Sequence, residues 1–221
     1  MLYIPPAHRE QDLATLHAHI AATGLATLVT VGEDGPLVSH LPLLLDPAAG
    51  RHGALTGHLA RANPQWRASD LRKPALAIFM GPDAYVSPSW YPAKQEHGRV
   101  VPTWNYSTVH ARGTLEFFHE PERLAALVTR LTDRYEGRFA APWKVTDAPA
   151  DYLQKQLHAI VGFVLKIDTL DGKLKLSQNR SLADRRGVVA GLRASERDAD
   201  QSTADEVERQ IGPSAAVRQN S

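Results

Sequence analysis

The sequence predicts an α+β chain built on a small antiparallel β-barrel with flanking helices. Three features of the sequence lead to it. Roughly eight β-rich runs are joined by hairpin-type turns, an amphipathic helix precedes them, and further helices are inserted only before the last strands. A parallel, doubly wound sheet would need strands and helices in regular alternation, and no internal period marks a solenoid or propeller.

Leu13, Leu16, His17 and Ile20 recur at helical spacing and Gly24 follows, so a helix over about 9–23 with a left-handed glycine stop is expected. LATLVTV (25–31) and LVSHLPLLL (37–45) are strands joined by hairpin chemistry at Gly32–Gly35. A turn over Pro47–Gly50 leads to the strand ALTGHLA (54–60), and Asn63-Pro64 opens a short helix through about Leu71. ALAIFMG (75–81) and AYVSPSWY (84–91) read as two strands separated by a Gly81-Pro82-Asp83 turn, the second limited by its prolines. Residues 92–99 read as a polar loop, and 101–119 as two strands or one bent at Gly113. Pro121 starts a helix with Leu124, Leu127, Val128, Leu131 and Tyr135 on one stripe, ending near Gly137, and a further helix covers about 149–159. VGFVLKID (161–168) alternates strictly, and Asp171-Gly172 is expected to turn it into a separate strand, KLKLSQNR (173–180). A helix over 182–194 follows; Thr203 and Glu206 have capping-box spacing for another, and a frayed tail is expected beyond Gly212. The expected division is a barrel domain with inserted helices over 1–180 and a C-terminal helical segment with a polar tail over 181–221.

Composition narrows the function. The 221 residues carry 25 Lys+Arg against 24 Asp+Glu, a formal net charge of +1, so the basic excess of a dedicated nucleic-acid binder is missing. With no cysteine, disulfides, iron–sulfur clusters and a cysteine nucleophile are excluded. The opening MLYIPPAHRE has prolines and charge where a signal peptide has an apolar run, and no stretch is long enough for a membrane span; a cytoplasmic protein with no membrane contact is expected.

Polar and aromatic residues gather at strand ends in HLARANPQW (58–66), YVSPSWY (85–91) with PTWNY (102–106), and KLKLSQNR (173–180). A planar cofactor with polar edges, such as flavin mononucleotide, needs this mixture of aromatic walls, amides, hydroxyls and a cation for phosphate. Arg61 would clamp phosphate as a bidentate donor, with Ser87, Ser89 and Thr103 as hydroxyl donors; Asn105, Gln178 and Asn179 would pair with ring carbonyls and nitrogens. Simpler roles exist for single members: Asn63 as an N-cap before Pro64, and Trp66, Trp90 and Trp104 as core or interface aromatics.

The strings SHLPLLL (39–45), GHLARANPQW (57–66), FMGPDAYVSPSWY (79–91), VPTWNYSTVHARG (101–113), IVGF (160–163) and GKLKLSQNR (172–180), with the N-terminal MLYIP, resemble the PaiB family of FMN-binding negative transcriptional regulators over residues 1 to about 194. The resemblance implies an antiparallel split β-barrel of the pyridoxamine-phosphate-oxidase-like class, assembled as a homodimer with FMN at the subunit interface. It places His58, Arg61 and Asn63 near phosphate, and Ser87, Ser89, Trp90, Thr103, Trp104 and Asn105 in the cofactor neighbourhood. It adds Ser39 and His40 on a strand lining the cofactor, and Lys175, Ser177, Gln178 and Asn179 reaching across the dimer. The leading functional expectation is a PaiB-type regulator, and the alternative is a flavin-dependent oxidoreductase of the same barrel class. No catalytic motif is visible, as expected where the cofactor carries the chemistry. DNA contact would fall to Arg180, Arg185, Arg186, Arg193 and Arg197, a cluster equally explained as a solvated helical face. Heme or metal is not expected, because no pair among the ten histidines, including His40, His58, His97 and His110, has ligand spacing on a firm helix.

Overall fold

The computed structural model describes residues 2–212, so the expected tail lies outside the described residues. In chain order the elements are β1 (Arg9–Glu10), α1 (Leu13–Ala22), β2 (Ala26–Gly32), β3 (Gly35–Leu41), β4 (Leu44–Asp46), β5 (Ala54–Ala60), α2 (Gln65–Ala68) and β6 (Ala75–Val86). After these come α3 (Ala93–His97), β7 (Thr103–Phe118), α4 (Pro121–Glu136), α5 (Ala150–His158), β8 (Ile160–Lys175), α6 (Leu182–Arg193) and α7 (Asp198–Ile211). The strands join in the order β3-β2-β6-β7-β8-β5-β4, with β1 paired to β8. This is the predicted α+β class, an antiparallel sheet with flanking helices. The chain divides into two units, one of residues 13–79 and 110–170, the other of the described residues of 1–12, 80–109 and 171–221.

In the first unit β2 and β3 form the expected hairpin, closing on a Gly32–Gly35 pair with Gly35 at φ +118°, a conformation only glycine adopts freely. β5 pairs with β8 from Ala54–Lys166 to Ala60–Ile160, and β4 covers its other edge. The apolar stripe of α4, Leu124, Leu127 and Leu131, packs with Leu157 of α5 against Leu44 and Phe118. Tyr135 fixes α4 further by donating its hydroxyl to the Gly24 carbonyl at 2.9 Å. Gly113 lies where β7 meets the β8 backbone: a Cβ there would stand 1.8 Å from the Lys166 carbonyl oxygen. The residue therefore permits a close strand approach.

In the second unit β1 pairs with the end of β8 through Arg9–Lys173 and Glu10–Gly172. Ala84, Val86, Tyr91, Leu176, Val188, Leu192, Ala204 and Val207 form its core. Pro88 turns the chain after β6 into a short 3-10 segment ending at Trp90, which seats in a notch on α6. A Cβ at Gly187 would stand 2.0 Å from the Trp90 carbonyl oxygen, and one at Gly191 would stand 2.3 Å from its indole ring. Two glycines one helical turn apart thus admit a tryptophan against the helix backbone.

Several expectations need correction. The Gly81–Asp83 turn is absent: β6 runs through it, with its alternation broken over residues 80–83, where Pro82 removes one amide donor. Asp171-Gly172 likewise does not reverse the chain, because Gly172 is paired with Glu10 inside continuous β8. Of the two alternatives for 101–119 the single strand holds, as β7, whereas 93–97, expected as a loop, is helical and ends on Gly98 at φ +67°. Gly24 is not left-handed; α1 ends where the Thr23 amide and hydroxyl both donate to the His19 carbonyl, and its start is set by Glu10, whose carboxylate accepts the Gln11 and Asp12 amides. Thr203 is no cap, since it sits fully buried inside α7 with its hydroxyl on the Ala199 carbonyl.

Gly113→Ala is expected to destabilise the protein by about 2 kcal/mol or more, since the clashing atom is backbone. Gly24→Ala, where nothing lies within 4 Å of the added carbon, should stay within roughly 0.5 kcal/mol of the parent. Urea denaturation of both variants checks the contrast.

Candidate functional site

The predicted site residues fall into two groups, one in each unit. In the first unit Asn63 does what an N-cap does, its Oδ1 accepting the Gln65 amide at 2.9 Å, while its Nδ2 donates to Ser39 Oγ at 2.9 Å. Ser39 in turn donates to Gln65 Oε1 at 2.5 Å. The buried Gln65 amide finishes the network on Thr30 Oγ1 and the Leu37 carbonyl, both at 3.1 Å. Ser39 and Asn63 are therefore brought together, joined by Gln65, which the sequence reading did not single out. Its signal was only its place one residue after the Asn-Pro pair.

Arg61 is engaged by the backbone of its own unit. Its Nε donates to the His158 carbonyl at 2.6 Å and its Nη2 to the Ile160 carbonyl at 2.8 Å, so the guanidinium ties down carbonyls at the end of α5 and the start of β8. The Arg61 backbone repeats the link, its amide donating to the Ala159 carbonyl at 2.7 Å. His40 is exposed and paired with Thr27 Oγ1 at 3.0 Å. His58 stands opposite Gly162, and its Nδ1 is buried with no hydrogen-bond partner among the described residues. Burial holds its pKa below the ordinary value of 6.5, favouring the neutral ring.

In the second unit the turn after β8 brings the other group together. Lys175 Nζ donates to Thr103 Oγ1 and, at 2.6 Å, to the Trp104 carbonyl. Asn105 and Ser177, both buried, exchange hydrogen bonds, Nδ2 to Oγ at 3.0 Å and Oγ to Oδ1 at 3.2 Å. Ser177 is the one non-glycine described residue with positive φ, +62°, a costly conformation held by its neighbours. Gln178 Oε1 accepts the Leu176 amide at 2.8 Å and faces His8 Nδ1 at 3.0 Å, while its Nε2 donates to the Leu174 carbonyl. An acceptor at Oε1 requires the His8 proton on Nδ1.

These residues line a cavity of about 110 Å³. Lys175, Arg180 and His8 contribute cationic or potentially cationic groups, and Thr103, Asn105, Ser177 and Asn179 contribute hydroxyls and amides. No carboxylate lines it. The Tyr91 ring completes the wall, with the Arg180 guanidinium 4.8 Å above its centroid. The Tyr91 hydroxyl is buried beside Arg180 and Ser177 and makes no hydrogen bond of standard geometry among the described residues. Burial raises its pKa, with Arg180 and Ser177 pulling the other way and the buried Asp184 adding to the rise. Burial, and then the neighbouring Lys173, lower the Lys175 pKa. His8 has no local signal in the sequence, Tyr91 stands out only as the end of the YVSPSWY string, and Arg180, expected on a helical face, directly follows KLSQN.

Ser87, Ser89 and Trp90 do not line this cavity. Ser87 Oγ accepts the Ser89 amide, Ser89 Oγ accepts from Lys94 Nζ, and Trp90 fills the α6 notch. Trp104 is 48% exposed and meets Tyr85 edge-on at 6.1 Å. A larger groove of about 800 Å³ runs along α6 and α7, and none of the predicted site residues lines it.

A wall of cationic and neutral polar groups without a carboxylate, plus a buried phenol, fits the electron-rich polar end of a flavin in chemistry. In size the cavity is well below the roughly 300–1,000 Å³ that enclose a whole small-molecule ligand. It takes one end of such a molecule, leaving the rest outside it.

Comparison with known proteins agrees with this chemistry. A family profile described as "Putative FMN-binding domain" matches residues 2–169. The chain is 33% identical over 195 residues to the Protease synthase and sporulation protein PAI 2 of Bacillus subtilis, covering 88% of this chain and 91% of that one. Among solved structures, the FAD and heme binding protein of Mycobacterium smegmatis shares the fold at a TM-score of 0.54 and 21% identity, over 76% of this chain and 73% of that one. A flavocytochrome from Azotobacter vinelandii does so at a TM-score of 0.54 and 16% identity, over 75% and 68%. The α+β fold is thus that of the split β-barrel flavin-binding proteins.

Two outcomes follow. Arg61→Ala should lower stability by about 1.5–3 kcal/mol, as for lost hydrogen bonds from a charged group, measurable by denaturant titration in the absence of any ligand. Because the folded protein disfavours the His58 imidazolium, the unfolded chain takes up the proton first. Stability is then complete above pH 6.5 and falls as acid is added below it. His58→Gln should flatten that part of the stability profile.

Proposed function

The chain belongs to the PaiB-like family of FMN-binding split-barrel proteins, and from that premise we propose that it is a flavin-binding oxidoreductase of the split-barrel class, with FMN as its cofactor. The observation that carries the reading is the cavity around Lys175, Thr103 and Ser177, lined by cationic and neutral polar groups with no carboxylate. Two proteins that share the fold are described as an FAD and heme binding protein and a flavocytochrome, so this architecture holds flavins elsewhere.

Bound FMN supplies hydride and one-electron transfer. The chain's own residues bind and orient. Lys175, with two of its three protons on Thr103 and Trp104, keeps a third N–H for an acceptor on the ligand. Ser177 and Asn105 hold the turn that carries Lys175 and Asn179. Gln178 fixes the same turn from behind. The half-exposed Trp104 and Tyr85 rings offer flat apolar surface to the face of a ring system, and with the exposed Val101 they support a homodimer in which a second copy covers this surface. Ser87, Ser89 and Trp90 remain proposed cofactor neighbours in this unit; Ser39, His40, His58 and Asn63 remain a proposed binding neighbourhood within their own unit.

A second reading, as a regulator, rests on the name of the Bacillus relative, which refers to protease synthesis and sporulation. The charge pattern favours it less. Arg193 is engaged by Asp205 and Glu208, and Arg197 by Asp200, so two of the five arginines of that cluster have acidic neighbours that offset their charge toward a phosphate backbone.

Protein dialysed against FMN should retain a visible flavin spectrum, and NADH or NADPH should bleach it under anaerobic mixing, with recovery in air and repeated turnover. Failure to bind FMN or riboflavin overturns the flavin reading. Retained flavin that no nicotinamide reduces, together with salt-sensitive binding to promoter fragments, transfers the function to regulation.

A further inference from the structure

We propose that the loop over residues 137–144, between α4 and α5, is a shallow docking tip for an anionic lipid bilayer, with Phe139 and Trp143 entering the headgroup layer and Arg138 and Lys144 meeting lipid phosphates. The tip belongs wholly to the first unit and is independent of the flavin reading.

Residues 137–144 read Gly-Arg-Phe-Ala-Ala-Pro-Trp-Lys, and every one of them is exposed, Phe139 at 51% and Trp143 at 47%. An unbroken apolar run from Phe139 to Trp143 thus faces solvent between two cations. Single apolar side chains on a surface are ordinary, whereas a continuous exposed run with two large aromatics marks a contact surface. Packing does not account for it, because Val145, just beyond the run, is the buried residue that seats this stretch of chain.

The run is held as a closed loop. Glu136, the last residue of α4, accepts the Phe139 amide on its carbonyl and the Trp143 amide on its carboxylate, both at 2.9 Å. Residues 139 and 143 therefore meet at one point, and Ala140, Ala141 and Pro142 project beyond it. The neck is tied again past Trp143, the Lys144 amide donating to Asp147 Oδ2 and the Asp147 amide to the Lys144 carbonyl, both at 2.9 Å. A projecting tip enters another surface rather than enclosing a ligand, and one fixed at its base loses little conformational freedom on docking.

Charge decides which surface. The acids nearest the tip, Glu136 and Asp147, are turned to backbone amides. The Arg138 guanidinium lies 4.8 Å from the centroid of the Phe139 ring, and neither Arg138 nor Lys144 forms an ion pair among the described residues. Asp133 and Asp151 flank the region, the latter beside Lys155. An apolar centre with a cation on each side matches a lipid interface, where acyl chains lie beneath anionic phosphates. Tryptophan favours that boundary, and arginine and lysine reach phosphates while their stems stay in apolar surroundings. A protein partner would need an apolar groove with acids placed in register, whereas a bilayer presents the pattern at every point.

No helix among the described residues is long and apolar enough to cross a membrane, so the contact is with the surface alone. It departs from the expectation of no membrane contact, which rested on the opening residues and the lack of a spanning stretch, features that do not bear on loop tips.

The test mixes the full chain with sucrose-loaded vesicles of phosphatidylcholine plus phosphatidylserine, or of phosphatidylcholine alone, and reads cosedimentation and tryptophan fluorescence. The parent should sediment with the phosphatidylserine vesicles, less with phosphatidylcholine alone, and added salt should release it. Phe139→Ala and Trp143→Ala should each weaken binding at least about tenfold, as for one aromatic side chain returned to water. Arg138→Gln and Lys144→Gln should each weaken it about fivefold at low salt. Trp143→Phe should keep most of the binding and lose the lipid-induced blue shift, which the other three tryptophans then fail to supply. Leu71→Ala, at a comparably exposed apolar residue of the same unit, should bind as the parent does. Unchanged melting temperatures show that the loop variants fold.

A parent that does not sediment with phosphatidylserine vesicles at low salt overturns the proposal, as does binding that survives Phe139→Ala and Trp143→Ala combined. Equal binding to both vesicle types, insensitive to the charge variants, overturns the anionic assignment. Absence of vesicle binding together with a smaller assembly of the aromatic variants in sedimentation velocity gives the tip to a second copy of the chain instead. None of these results depends on whether FMN binds, so failure of the flavin reading leaves this one standing.

Discussion

The second unit depends on how the end of β8 is tied to the start of β7. Lys175 reaches Thr103 and the Trp104 carbonyl, and Ser177 exchanges hydrogen bonds with Asn105 two residues further along β7. These contacts span about seventy residues of sequence, |i−j| of 72 for the Asn105–Ser177 pair. They force Ser177 into a left-handed conformation, and that geometry turns the chain so that Lys175, Asn179 and Arg180 line one cavity. A buried amide–hydroxyl pair is directional, so it fixes the turn more sharply than apolar packing would. Gln178 reinforces the turn from inside, with both ends of its amide engaged.

The first unit shows the opposite use of similar residue types. Asn63, Ser39, Gln65, Thr30 and Ser69 satisfy one another, and Arg61 satisfies carbonyls left open at the end of α5. Such closure stabilises an edge of the sheet and fixes the entry to α2. What distinguishes the cavity of the other unit is that its cations, Lys175 and Arg180, meet no lining carboxylate. The distinction between scaffold and candidate site lies in that charge imbalance and not in polarity as such.

Local signals in the sequence were sufficient where a pattern is set by near neighbours. The β2–β3 hairpin, β5, the stripe of α4 and the span of α6 follow from turn residues and periodicity, whereas the run expected as one strand over 37–45 breaks at Pro42 into β3, ending at Leu41, and β4, which pairs with β5. Turns at Gly81–Asp83 and Asp171-Gly172 were misread because tertiary pairing overrides turn chemistry: Gly172 has Glu10 opposite it, an N-terminal partner no local window contains. The site was legible as neighbourhoods, KLSQN with PTWNY, since the residues of each are adjacent in sequence. The part played by Arg61 was not, because its acceptors are backbone carbonyls some hundred residues away, which no side-chain pattern announces. His8 has no such signal for the same reason, joining the cavity from the distant N-terminal part of the chain.

The seat of Trp90 on α6 ties three positions into one unit of change. Alanine normally strengthens a helix relative to glycine by nearly 1 kcal/mol, yet at 187 or 191 it meets the tryptophan that anchors the segment after β6. Drift at either glycine is therefore permitted only after the indole has shrunk, and a smaller residue at 90 would open a void until the helix fills it. Related chains should accordingly vary at these three sites in concert, a tryptophan facing two glycines or a lesser side chain facing fuller ones.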